Sequence, residues 1–164
     1  ICAYRRLKEN AWRKKMLPDN EIMIREMTMD DLDAVVEIEK ECFSVPWSKQ
    51  GFVDALQKND AYYIVAVADD RVVGYCGAYG VCDEADINQV AVTEACRRGG
   101  IGEQMVRQLL DGLIQRGYLY TTLEVRRSNA AAVALYEKLG FVSEGIRKNF
   151  YEKPAEDAVI MWKR

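Results

Sequence analysis

Between Gln89 and Leu110 a short apolar run, a basic glycine-rich turn and a stretch of helical periodicity follow one another without interruption. The run is Val90-Ala91-Val92 and the turn is Arg97-Arg98-Gly99-Gly100-Ile101-Gly102. Ile101, Met105, Leu109 and Leu113 then recur at every fourth position. A strand that passes through glycines into an amphipathic helix is a building block of sheets covered by helices. The same turn also has chemistry. The first N–H groups of a helix lack an intrahelical acceptor, and with the helix dipole they favour an anion. Arg97 and Arg98 add positive charge, which a turn alone does not need. A bound phosphate group is therefore the sharper reading, and a ligand-free strand-to-helix turn is the alternative. The turn lacks the Gly-Lys-Ser/Thr ending of a P-loop and the first glycine of a dinucleotide turn. Gly100 and Gly102 read as residues inside the helix start, each costing about 1 kcal/mol relative to alanine. Close approach of backbone to ligand is a physical reason to accept that cost.

The pattern elsewhere alternates strands and helices. Glu21–Glu26 reads as a strand and Asp30–Cys42 as a helix, with Leu32, Val35, Val36 and Ile38 on its apolar face. Ser48 caps a second helix running to about Lys58. Strands Tyr62–Ala68 and Arg71–Val81 turn at Asp69-Asp70, and Ala85–Val92 is a further strand. The helix Gly100–Arg116 stops at Gly117, and Tyr118–Arg126 is the next strand. Ser128–Leu139 is a helix with Ser128 or Asn129 as its cap and Gly140 as its stop, before strands Phe141–Tyr151 and Ala158–Trp162. The order β-α-α-β-β-β-α-β-α-β-β predicts a single α/β (α+β) domain. Its sheet is mixed and mostly antiparallel, with flanking helices and a βαβ crossover around Ala85–Arg126. A ligand site belongs where such a sheet splits, beside the strand that feeds the glycine turn.

Residues 1–20 differ from the rest. Six basic residues against Glu9 and Asp19 give this segment a net +4, so residues 21–164 carry −7 of the chain's −3. The segment reads as a basic N-terminal extension, either solvated or docked on a partner, and 21–164 as the domain. No apolar run approaches the roughly 20 residues of a membrane span, and no secretory signal is visible. The five cysteines, Cys2, Cys42, Cys76, Cys82 and Cys96, are odd in number and irregularly spaced. They read as reduced thiols of a cytoplasmic protein. Neither a membrane nor a nucleic-acid partner is expected. Histidine is absent. That removes Ser-His and Cys-His nucleophile pairs and His-based metal sites. No metal is expected, and any proton transfer must use Glu, Asp, Tyr, Lys, Cys or water.

Arg97-x-x-Gly100-x-Gly102 resembles the Gln/Arg-x-x-Gly-x-Gly/Ala motif of the GCN5-related N-acetyltransferase (GNAT) superfamily. The longer run Leu123–Phe141, Leu-Glu-Val-Arg-Arg-Ser-Asn-Ala-Ala-Ala-Val-Ala-Leu-Tyr-Glu-Lys-Leu-Gly-Phe, looks like its RimI-type branch, the bacterial ribosomal-protein-alanine N-acetyltransferases. Phe43–Ser48, Arg147–Tyr151 and Glu156–Met161 are similar to that branch too, so the resemblance runs from about Ile22 to Trp162. Arg97 stands where that branch often has Gln, and Gly99 where a larger polar residue is common.

The resemblance implies a GNAT fold and transfer of acetyl from acetyl-CoA to a protein N-terminus, namely the N-terminal alanine of a small-subunit ribosomal protein. Arg97, Arg98, Gly99, Gly100, Ile101 and Gly102 would hold the pyrophosphate. Backbone groups of Val90, Ala91 and Val92 would pair with the pantetheine arm. Asn129 would hydrogen-bond that arm or serve only as a helix cap. Glu124, otherwise a solvated strand carboxylate, would be the general base, opposing Leu119, Thr121, Leu123 and Val125 on its strand. Tyr136, otherwise a core-edge tyrosine, would protonate the departing thiolate. Phe43, Pro46, Trp47 and Tyr151 would receive the peptide, with Trp47 equally a core anchor. A lysine or small-amine acetyltransferase and a non-catalytic CoA-binding module are the alternatives.

Overall fold

A computed structural model describes residues 21–164, so the basic extension predicted for 1–20 lies outside the described residues. Seven strands form one sheet: β1 (Met23–Glu26), β2 (Ala61–Ala68), β3 (Arg71–Val81), β4 (Glu84–Val92), β5 (Tyr120–Arg126), β6 (Val142–Glu152) and β7 (Ala155–Lys163). Four α-helices among the described residues flank it: α1 (Leu32–Cys42), α2 (Lys49–Leu56), α3 (Ile101–Gln115) and α4 (Ala130–Lys138). The predicted element order holds, with boundaries shifted by a few residues. The sheet order is β1-β2-β3-β4-β5-β7-β6, and β4–β5 is its parallel pair. The crossover through α3 makes that pair parallel, because both strands must start from the same end.

The apolar periodicities decide which helix covers which face. Ile101, Met105, Leu109 and Leu113 of α3 are all buried, in a core shared with Ile64, Ile87, Leu123 and Val125 of the sheet. Leu32, Val35 and Ile38 of α1 are buried on the other face with Phe52, Tyr63, Val65 and Tyr75. Leu119 is 65% exposed and precedes β5, so it does not belong with Thr121, Leu123 and Val125 on the inner face. A strand must be paired to bury one face, and pairing of β5 with β4 begins only at Tyr120.

Local chemistry fixes the turns. Asp69 and Asp70 both have positive φ, as a two-residue hairpin loop matching the strand twist requires. Gly117 and Gly140 end α3 and α4 at φ 92° and 90°. One irregularity matters for the site. Gly77 pairs with Gln89 while Ala78 pairs with Ile87, which leaves Asn88 as an extra residue in β4. Such a bulge breaks the strict alternation of side chains. Ile87 and Val90 therefore pack toward α3, while Asn88 meets Tyr63 and Gln89 meets Glu39 of α1.

Candidate active site

Strands β4 and β5 pair only from Glu84↔Tyr120 to Ile87↔Leu123. Beyond that point β4 stays on β3 through Val92, and β5 stays on β7 through Arg126. The two strands diverge, and the cleft between them opens beside Val90, Ala91 and Val92. This is the split that the sequence predicts, next to the strand feeding the glycine turn.

At the end of β4 the turn leads into α3 with Gly100 as its N-cap, at φ 77°. This corrects the sequence reading of Gly100 as a residue inside the helix. It precedes the helix in a left-handed conformation that costs an L side chain energy, so the backbone alone accounts for this glycine. Gly102 does lie in the first turn, where a Cβ would touch Leu135 and Val92 at an ordinary 3.9 Å. The N-cap receives no side-chain hydrogen bond. No acceptor among the described residues takes the N–H groups of Gly100, Ile101, Gly102 or Glu103. That donor set fits a diphosphate, which needs several N–H groups directed at one point. Arg98 and Gly99 are exposed at the same turn. Arg97 behaves differently: its Nε donates to the Val92 carbonyl at 2.9 Å and Nη2 to Cys42 Sγ at 3.3 Å. Its guanidinium thereby fastens the turn to the end of β4. Glu41 accepts from Thr93 and from the Glu94 N–H, which secures the turn to α1.

Helix α4 lies beside this turn, joined to α3 by Lys138–Glu103 at 2.7 Å. Asn129 is its N-cap, accepting from the Ala132 N–H at 3.2 Å, so the capping alternative is realised and its amide NH2 remains available to donate. Tyr136 is 7% exposed and stacks edge-on against Phe141. Burial, foremost, and then the Cys76 and Tyr151 groups nearby raise its pKa, which keeps the phenol protonated.

Glu124 projects from β5 to the face opposite Leu123 and Val125. Its Oε1 pairs with Arg147 of β6 at 2.8 Å, and its backbone carbonyl accepts from the Tyr151 hydroxyl at 3.2 Å. The Arg126 guanidinium lies over the Tyr151 ring at 4.2 Å. Near the Phe43–Trp47 loop, the Ser44 hydroxyl donates to the Lys153 carbonyl at 2.5 Å, which links this loop to the β6–β7 hairpin carrying Tyr151. Pro46 is exposed and Phe43 half-buried. Trp47 packs on Phe52 at 5.5 Å and its backbone N–H donates to Glu39 at 2.9 Å, so it anchors the loop to the core.

The sequence reading missed three groups here. Asp86 of β4 shares the face of Glu124, and its Oδ1 is buried without a hydrogen-bond partner among the described residues. Desolvation, then the Glu124 charge, raise its pKa to about 6, with Arg147 opposing. Glu39 is 1% exposed and accepts from Tyr75, the Trp47 N–H and Gln89, with desolvation still raising its pKa. Gln89 leaves its own Oε1 without a partner among the described residues. The available signal was Asp86, Asn88 and Gln89, three polar residues in a central strand. Asp86 makes a test of this environment. Its proton affinity is higher in the folded protein than in the unfolded chain, so stability falls as pH rises from about 4 through about 6. Asp86→Asn is expected to stabilise the fold by about 1 kcal/mol at neutral pH, after allowing for solvent screening. Thermal unfolding followed against pH should show that gain vanish in acid; a constant or reversed difference refutes the assignment.

A divergent parallel strand pair beside a helix start with free N–H groups suits an amide-bearing, anionic ligand. Residues 32–141 match the family model of the acetyltransferase (GNAT) family. The chain belongs to this family, and it is an acyltransferase. A putative [ribosomal protein bS18]-alanine N-acetyltransferase of Bacillus subtilis is 39% identical over 140 residues, covering 85% of this chain and 93% of that one. The [ribosomal protein bS18]-alanine N-acetyltransferase of Salmonella typhimurium is 39% identical over 138 residues, covering 82% and 92%. The crystal structure of the ribosomal-protein-S18-alanine N-acetyltransferase from Escherichia coli matches with a TM-score of 0.80 at 35% identity, over 87% of this chain and 92% of that one. No helix among the described residues is long and apolar enough to cross a membrane.

Proposed function

We propose that this protein transfers acetyl from acetyl-CoA to the α-amine of a protein N-terminus in the cytoplasm, and that its acceptor is the N-terminal alanine of ribosomal protein bS18. The observation that carries the reading is the divergence of β4 and β5 directly before four unsatisfied helix-start N–H groups, in a chain so similar to enzymes of that name. The cleft has free backbone on one wall for an amide-bearing arm, which suits pantetheine as an added strand. The N–H groups of Gly100–Glu103, with Arg98 and Gly99 at the rim, bind the pyrophosphate. Bound there, acetyl-CoA supplies an activated acyl group as its thioester.

The residues around the cleft divide the remaining work. Glu124 acts as general base on the acceptor amine, directly or through water. Tyr136 holds its proton until a thiolate needs it, and burial favours that state. Direct attack fits better than a covalent acetyl-enzyme, since Cys96 adjoins the phosphate turn and Cys76 of β3 is fully buried in the core shared with α3. Phe43, Pro46 and Tyr151 line the acceptor side, and Trp47 supports it from the core. Tyr151 already donates to a strand carbonyl, and a peptide backbone offers the same kind of acceptor.

The test is a direct acetylation screen. Peptides with the bS18 N-terminus, internal lysine peptides, polyamines and aminoglycosides are each incubated with acetyl-CoA, and the product is mapped by mass spectrometry. Acetylation at the α-amine of the alanine peptide is expected. Activity confined to lysine side chains or small amines refutes the N-terminal reading, and acetyl-CoA binding without turnover refutes the enzymatic one.

A further inference from the structure

Two carboxylates from neighbouring strands share the acceptor side of the cleft, and their surroundings differ. Asp86 stands opposite Thr122 across the β4–β5 pairing, and Glu124 lies two residues further along β5 on the same face. Glu124 has a cationic partner, Arg147, at 2.8 Å. Asp86 has an Oδ1 that is buried and without a hydrogen-bond partner among the described residues. From β3 the half-buried Tyr79 is the residue paired with Asp86, and Lys58 lies over its ring at 5.3 Å. The charged groups that act on Asp86 are Glu124 and Arg147. Of the two carboxylates, Glu124 therefore has its charge already balanced, while Asp86 has no hydrogen-bond partner on Oδ1 among the described residues.

Amine acetylation asks for this asymmetry. An amine that arrives as ammonium must lose two protons from nitrogen, while only one is returned to the leaving sulfur. Building on the function proposed above, we propose that Asp86 receives the first of these protons and Glu124 the second. In the first step an N–H bond of the ammonium breaks, the electron pair stays on nitrogen, and the proton moves to the Asp86 carboxylate. In the second the C–N bond forms and the C–S bond breaks, with its electron pair leaving on sulfur. Sulfur takes the proton of Tyr136, and the remaining surplus proton on nitrogen passes to Glu124. Tyr136 is then reprotonated from within the site, and one net proton is released to solvent. Asp86 thus prepares the nucleophile, and Glu124 completes the transfer.

Two measurements on the full chain test this. In the resting enzyme, carbon-13 NMR of labelled aspartate should show Asp86 titrating near pH 6, and lower in Glu124→Gln. An Asp86 signal in the ordinary carboxylate range, or one unmoved by Glu124→Gln, overturns the pairing. In kinetics, Asp86→Asn is expected to lower kcat/KM about 100-fold at about pH 7, above the Asp86 titration and below that of the α-amine. The deficit should shrink to a few-fold at about pH 9, where solution already supplies the free α-amine. A loss equal at all pH values marks a packing role and overturns the proposal, as does a wild-type profile. The ratio is read on whichever amine the wild type turns over best, with the upper pH set about one unit above that amine's own pKa. Failure on peptide N-termini therefore refutes the function proposed above while the Asp86 ratio still decides this inference.

Discussion

Tyr136→Phe is expected to lower kcat by about 100- to 1,000-fold while leaving the Kd for acetyl-CoA within about threefold. The variant removes one oxygen and keeps the ring. That ring is 7% exposed and packs edge-on against Phe141 at 5.7 Å, so core volume is unchanged. The hydroxyl makes no hydrogen bond among the described residues, so its loss orphans no partner there and stability should move little. Protonating the thiolate as it departs makes the step irreversible towards re-attack at neutral pH, and a buried phenol holds a proton for that moment. Steady-state kinetics, calorimetric binding and thermal unfolding on the same preparation separate these effects. Wild-type turnover would remove the general-acid role. Loss of binding in step with turnover would mean the residue shapes the cleft instead.

Gly77→Ala is expected to cost about 2–4 kcal/mol of stability. A Cβ there would sit 2.1 Å from the Tyr63 ring, within the volume the ring occupies. The ring has nowhere to go: Tyr63 is 3% exposed and meets Phe52 and Tyr79 edge-on. Its hydroxyl is held by Asn88, the bulged residue of β4, at 2.9–3.1 Å. Displacing Tyr63 therefore strains the core and pulls on the strand that carries Asp86 and Gln89. A fall in Tm of about 5–15 °C follows for a domain of this size, with a loss of activity at temperatures where the fold persists. An unchanged Tm would mean that the sheet relaxes around the added methyl group.

Which parts were legible in the sequence follows from how far apart the determining residues are. The α3 stripe of Ile101, Met105, Leu109 and Leu113 reads directly, because helix period and burial are local. The same holds for Ser48, which caps α2 by accepting from the Gly51 N–H, and for Gly117 and Gly140, whose positive φ ends helices. Gly100 was misread as a helical residue because composition does not reveal which residue is the cap. The assignments of Glu124 and Tyr136 came from resemblance, not from spacing, since a strand carboxylate and a helical tyrosine occur in every such domain.

Local sequence is enough for the alternation of strands and helices, the faces the helices bury, and the glycine turn that ends β4. Each rests on neighbours within about one or two turns of chain. Long-range packing settles that β4 and β5 part after Ile87↔Leu123, that Asn88 bulges, and that Arg97 turns back onto Val92. The same long-range packing sets the company of Glu124: Arg147 from β6 at 2.8 Å, and Asp86 from β4, whose Oδ1 has no partner among the described residues. These contacts join residues 23 and 38 positions apart in the chain, so they depend on strand register and on the order β4-β5-β7-β6. Register is fixed by the packing of the whole sheet against its helices. The proton affinity of a carboxylate beside another is set by that same packing.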